Sequence, residues 1–214
     1  MNSFNPISAF GRDLNQAHRV DYPVVDPSKE ERPMLMVAER SLLLIIDLQE
    51  KLLPVIHNGD RVVSESVWLA GVADELDVPV LVSEQYPQGL GATTAVLTER
   101  LKQPTLIEKL HFSCMGDESC RQAIESADRD QIIIAGIESH VCVLQTTLNL
   151  LEEGFEVFVV SGAISSRDPE DVTLALNRMG SAGAQIVSRE MVAFEWLGQS
   201  GTEQFKSISK NYLR

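Results

Sequence analysis

Several things are scarce in this 214-residue chain, and each scarcity excludes a class of protein. The longest run of strongly apolar residues, Leu42–Ile46, covers five positions. A membrane-spanning helix needs roughly 20. Basic residues are few: 18 Lys and Arg against 31 Asp and Glu leave a net charge of −13. Such a surface repels phosphate backbones and anionic lipid, so nucleic acid and membranes are poor partners. There are three cysteines, Cys114, Cys120 and Cys142, without Cys-x-x-Cys spacing. That odd set argues against a zinc ribbon or a disulfide framework, a Cys114–Cys120 bridge included, and for reduced thiols in a cytoplasm. The first twenty residues also lack the apolar run of a secretory signal.

What is present is ordinary globular material, 44% hydrophobic and 23% charged, in a chain long enough to bury about 70% of its unfolded surface. Residues 1–38 carry scattered prolines (Pro6, Pro23, Pro27, Pro33) and no sustained period, so they read as an arm or leader. Residues 39–214 read as one α/β domain. Within it, short apolar runs alternate with segments of helical spacing. The runs are Leu42–Ile46, Val78–Val82, Thr105–Ile107, Ile132–Ile134, Phe155–Val160 and Gln185–Val187. Most lack polar alternation, as strands covered on both faces do. The helical segments are Val62–Leu76, Glu118–Ala127, Ser139–Glu153 and Pro169–Ala182, with Asp168-Pro169-Glu170-Asp171 as a helix start. The alternation predicts a parallel sheet of about six strands with helices on both faces. In such sheets ligands bind beyond the carboxyl ends of the strands.

Three strand ends carry chemistry. Asp47 follows the first run directly; taken alone it is a helix N-cap or a functional acid, the cap being the commoner use. Lys109 follows the third, where a lysine usually snorkels to the surface. Cys142 follows the fourth. With Ser139 as N-cap, Cys142 would be the third helical residue, where unpaired N–H groups lower a thiol pKa. The bland alternative is a small buried hydrophobe. Together the three supply a carboxylate, a cation and a nucleophile to one crevice.

Leu43-Leu44-Ile45-Ile46-Asp47-Leu48-Gln49, Glu108-Lys109 with Phe112-Ser113, and Gly136-Ile137-Glu138-Ser139-His140-Val141-Cys142-Val143 resemble, in order, the isochorismatase-like cysteine hydrolases. The resemblance runs from about Ser41 to Val187 and implies a three-layer α/β/α sandwich, Rossmann-like, around a six-stranded parallel sheet. It implies Cys142 as nucleophile, Asp47 as general base and later acid, and Lys109 as electrostatic partner. It also implies a cis peptide at Ile137–Glu138, with the backbone N–H groups of Glu138 and Cys142 forming an oxyanion hole. The expected reaction is attack on a small amide-type carbonyl through an acyl-enzyme. Vinyl ether hydrolysis of isochorismate on the same fold is the enzymatic alternative; a binding protein on this scaffold is the non-catalytic one.

The metal-binding branch of the family carries an Asp-x-His motif after the second strand. Here Ser83–Gly91 holds no histidine, and the chain's four are His18, His57, His111 and His140. The loop Glu84-Gln85-Tyr86-Pro87-Gln88-Gly89-Leu90-Gly91 instead resembles the metal-free, isochorismatase domain-containing branch, so no metal and no cofactor is expected. Gly89-Leu90-Gly91 lacks the third glycine of a dinucleotide fingerprint and reads as a turn. Glu84, Gln85 and Phe112 are the candidate substrate contacts. His140, two residues from Cys142, does not face it on a helix and is expected against a neighbouring loop or subunit. His111 reads as a loop histidine, Trp68 as a core or pocket-wall aromatic, and Cys114 and Cys120 as structural thiols. The expected partners are a small-molecule substrate and further copies of the chain in a homo-oligomer.

Overall fold

The structure, a computed structural model, describes residues 35–102 and 105–213. The leader expected over residues 1–38 therefore lies, up to residue 34, outside the described residues. Its last four positions belong to the folded unit. Met36 is buried, its N–H donates to Glu195 at 2.8 Å, and the Val37 N–H donates to Gln131 Oε1 at 2.7 Å.

Six strands form one sheet: β1 (Ser41–Ile46), β2 (Val80–Gln85), β3 (Thr105–Lys109), β4 (Gln131–Ile137), β5 (Glu156–Ser165) and β6 (Gln185–Val187). Every pairing is parallel, in the order β3-β2-β1-β4-β5-β6. The helices are α1 (Gly59–Glu75), α2 (Pro87–Leu90), α3 (Ala95–Thr98), α4 (Glu118–Ser126), α5 (Leu144–Glu152), α6 (Pro169–Ser181), α7 (Arg189–Leu197) and α8 (Glu203–Asn211).

The period of two along each strand builds the three layers. Leu43 and Ile45 of β1, with Ile133, Ala135, Phe158 and Val160, pack under Leu69, Val72, Val192 and Ile208 of α1, α7 and α8. Leu42, Leu44 and Ile46, with Ile132, Ile134, Val157 and Val159, pack under Ile124, Leu150, Ala175 and Met179 of α4, α5 and α6. Burial on both faces explains why β1 and β4 read as unbroken apolar runs.

Three strands outrun their apolar runs and continue into polar residues. The second ends at Gln85 rather than Val82, the third at Lys109 rather than Ile107, and the fifth at Ser165 rather than Val160. Parallel neighbours pair with these extensions. The chain reverses direction across the sheet between β1 and β4, the switch point where loops part and leave a crevice.

Candidate active site

Asp47 stands at that crevice. It leaves β1 in the left-handed region (φ 54°), and its N–H donates to Ser83 O at 3.1 Å. The carboxylate is fully buried: Oδ1 accepts from Ser83 Oγ at 2.7 Å and Oδ2 from Lys109 Nζ at 2.7 Å. No helix begins here, so the N-cap alternative does not apply.

Lys109, at the end of β3, does not snorkel. Its side chain is 0% exposed, and Nζ donates to Asp47, to Gln85 Oε1 at 2.7 Å and to Phe112 O at 3.1 Å, with His111 O at 3.4 Å. Removing two charges from water is tolerable only with such complete pairing. Burial disfavours the ammonium, but the negative groups around it, Asp47 foremost, outweigh this and raise its pKa.

Cys142 arrives from β4. Gly136 of that strand lies opposite Ile46 with φ 118°, and a Cβ there would collide with the Ile46 carbonyl. Glycine thus lets β4 lie tight against β1 just before the chain turns. The Ile137–Glu138 peptide is cis. Residues Ser139–Val143 then form a wide π-helical turn, not the α-helical first turn expected from Ser139 as N-cap. Ser139 caps nothing; its hydroxyl is buried without a partner. Glu138 O accepts from the N–H groups of Val141 (3.1 Å) and Val143 (3.2 Å), stepping over that of Cys142 between them.

Cys142 is 7% exposed and lies near enough to the Asp47 carboxylate to feel its charge. Its pKa is raised, first by burial and then by the negative charge of Asp47. This is the reverse of the lowered pKa that a helix start implies: desolvation and a neighbouring carboxylate override the backbone dipoles. Burial likewise raises Asp47, with Lys109, Ser83 and Cys142 opposing it. A carboxylate above its usual range beside a neutral thiol can accept that thiol's proton, and a buried ammonium can hold the carboxylate in place.

Residues 41–191 match the isochorismatase domain family. The chain belongs to that family. Isochorismatase family protein 1B of Dictyostelium discoideum is 39% identical over 177 residues, covering 81% of this chain and 86% of that protein. Among solved structures, the MAR1 ribonuclease of Caenorhabditis elegans superposes with a TM-score of 0.79 at 36% identity, over 85% of this chain and 93% of that one. YcaC from Pseudomonas aeruginosa, solved with hexane-2,5-diol and covalent acrylamide, gives a TM-score of 0.79 at 28% identity over the same shares. The all-parallel sheet flanked by helices is thus the isochorismatase-like fold.

Within this isochorismatase-family site, the other candidate residues divide. Glu84 and Gln85 were expected to face substrate, but both are buried and engaged within the protein. Glu84 Oε1 accepts from Thr93 N and Thr93 Oγ1, each at 2.7 Å, while Gln85 holds Lys109 and donates to Leu110 O at 2.8 Å. Phe112 has an exposed ring, and its carbonyl serves Lys109. His111 pairs with Asp117 at 3.1 Å. Trp68 lies away from the site, donating to Tyr212 O at 2.9 Å. Cys114 and Cys120 are buried and unbridged. Among the described residues, no three His, Cys, Asp or Glu side chains gather as a metal-binding group.

Sequence reasoning missed Ser83 and Gln49. Ser83, the first polar residue after the second apolar run, is the direct partner of Asp47, and that position was its signal. Gln49 laces the loop after β2, donating to Gln85 O (3.0 Å) and Gly91 O (2.6 Å) and accepting from Gln85 N (2.8 Å). Nothing in its local sequence marks that task.

Proposed function

We propose that this isochorismatase-family hydrolase is a cysteine hydrolase acting on small carbonyl compounds with a C–N bond. The observation that carries the proposal is the buried Asp47 carboxylate, held by Lys109 and Ser83 with Cys142 near enough to feel its charge. Asp47 accepts the thiol proton while Cys142 Sγ attacks the carbonyl carbon. Charge developing on the carbonyl oxygen meets the N–H groups of Glu138 and Cys142. Asp47 returns the proton to the leaving nitrogen, and the C–N bond breaks. Water, deprotonated by Asp47, then attacks the thioester carbon; the C–S bond breaks and Asp47 returns the proton to the Cys142 thiolate. The covalent acrylamide in the Pseudomonas YcaC neighbour supports a thiol open to small amide-bearing electrophiles.

The ribonuclease description of the C. elegans neighbour does not transfer well, since a net charge of −13 repels a phosphate backbone. Three buried free thiols favour a reducing compartment, the cytoplasm. No helix among the described residues is long and apolar enough to cross a membrane. Leu110 and Phe112, exposed beside the site, offer apolar surface for a homo-oligomer, which light scattering tests.

The test is a screen of small amides, isochorismate and single-stranded RNA, with Cys142→Ser alongside and hydroxylamine trapping of the acyl-enzyme. Amide turnover with a trapped Cys142 acyl group is expected. Turnover of isochorismate alone, of RNA alone, or undiminished turnover by Cys142→Ser would overturn the proposal.

A further inference from the structure

The segment leaving β5 makes three successive contacts that the chemistry above does not use. Ser165 Oγ donates to His57 O at 2.6 Å, anchoring the segment to the loop ahead of α1. The next residue, Ser166, is fully buried and pairs through Oγ with His140 Nδ1 at 2.9 Å. His140 Nε2 in turn lies 3.6 Å from Asp171 Oδ2 on α6. Arg167 then grips Glu138: its backbone N–H and its Nε both donate to Glu138 Oε2, at 3.2 and 2.9 Å. The residues gripped, Glu138 and His140, lie four and two positions before Cys142. They flank the start of the π-helical turn, and none of these contacts reaches the thiol.

We infer that Arg167 and His140 are positioning residues, which hold the Glu138 peptide and the Cys142 turn where their N–H groups converge on a developing oxyanion. The inference rests on the cysteine hydrolase proposal and adds a device to it. A wide turn has poorer hydrogen-bond geometry than an α-helix and so depends on outside contacts to keep its shape. The segment after β5 supplies them at two points. An oxyanion site works only when its donors are already in place as charge appears, so a small displacement of either N–H weakens it while leaving the thiol where it was.

Two reagents separate those effects. Acrylamide adds to the thiol through an S–C bond to its terminal alkene carbon. The alkene electron pair shifts toward the carbonyl, placing charge on the amide oxygen, and the proton taken by Asp47 is returned to the adjacent carbon. Iodoacetamide alkylates the thiol in one displacement: the S–C bond forms, the C–I bond breaks, and charge leaves as iodide with none developing on oxygen. The readout is the acrylamide-to-iodoacetamide rate ratio at the Cys142 peptide by mass spectrometry, referenced to N-acetylcysteine.

The unaltered protein is expected to exceed the reference ratio about tenfold or more. The double variant His140→Ala/Arg167→Ala is expected to lose about tenfold in ratio, with the iodoacetamide rate within about twofold of the unaltered protein. Arg167→Ala alone, whose side chain is 62% exposed and whose backbone bond to Glu138 survives, is expected to fold normally and fall part of the way. Arg167→Lys and His140→Asn, each keeping a polar group near its partner, are expected to restore most of the ratio. A high ratio that survives the double variant overturns the positioning inference alone. A ratio in the unaltered protein equal to that of N-acetylcysteine overturns the oxyanion site beneath it as well.

Discussion

Cys142 and the pair Cys114 and Cys120 are all buried thiols on the same side of the sheet, yet their surroundings differ in kind. The Cys120 thiol is directed at Glu108 O at 3.9 Å, and the Cys114 N–H is held by Thr146 Oγ1 at 3.0 Å. Cys142 instead faces a carboxylate, and burial with that charge raises its pKa. Cys114 is 1% exposed, and neither it nor Cys120 has a carboxylate or imidazole among its hydrogen-bond partners. A nucleophile needs a proton acceptor and a place for the charge it creates more than it needs a low resting pKa. Those two things distinguish Cys142.

Substitutions can break this contrast directly. Cys142→Ala is expected to lower amide turnover about 10⁴-fold or more. Cys114→Ala and Cys120→Ala should each cost about 1 kcal/mol of stability in urea unfolding, the ordinary effect of trimming a core, and leave turnover nearly unchanged. Equal losses at all three would erase the distinction. Asp47→Asn should cost about 10³-fold in turnover by removing the base. The same change should speed iodoacetamide labelling of Cys142 at neutral pH, because the thiolate then faces Lys109 without a competing negative charge. Turnover and labelling moving together would defeat the assignment of Asp47.

Lys109→Met leaves the Asp47 charge buried and unpaired, so a loss of about 3–5 kcal/mol is expected in urea unfolding. The half-exposed Arg121–Glu153 pair is the comparison: Arg121→Ala should barely move the urea midpoint, because solvent screens an exposed ion pair. The smallest effect lies in the pH profile. Because Asp47 must be unprotonated to act and its pKa is raised by burial, activity should fall on acidification at a pH above the ordinary carboxylate value of about 4. Lys109 is held charged by its neighbours, so its own loss should not set an alkaline limb below the usual lysine range of about 10.4. Profiles of kcat/KM across that range check both.

Much of the molecule was legible because two-sided burial leaves a plain mark. The apolar runs of β1 and β4 and the helical spacing of α5 and α6 are each set by neighbours a few residues away. The ends of β2 and β5 were not legible, because Ser83–Gln85 are polar and Ser161-Gly162 interrupts the apolar run of β5, so both ends are held as strand only by partners distant in sequence. The site divides in the same way. Its motifs stand out in the chain as Asp47, Glu108-Lys109 and the segment from Gly136 to Val143.

By itself, then, the sequence determined a parallel α/β fold, the family to which the chain belongs, and the Asp, Lys and Cys that end its strands. Tertiary structure alone decided the rest: that Glu84 is engaged by Thr93 and Gln85 by Lys109, that Ser83 meets Asp47 and Gln49 laces the loop after β2, and that burial and Asp47 raise the Cys142 thiol pKa. The reason is that local propensity depends on covalent neighbours. Desolvation, charge pairing and hydrogen-bond commitment depend on which distant groups the fold brings within a few ångströms, and no spacing along the chain encodes those distances.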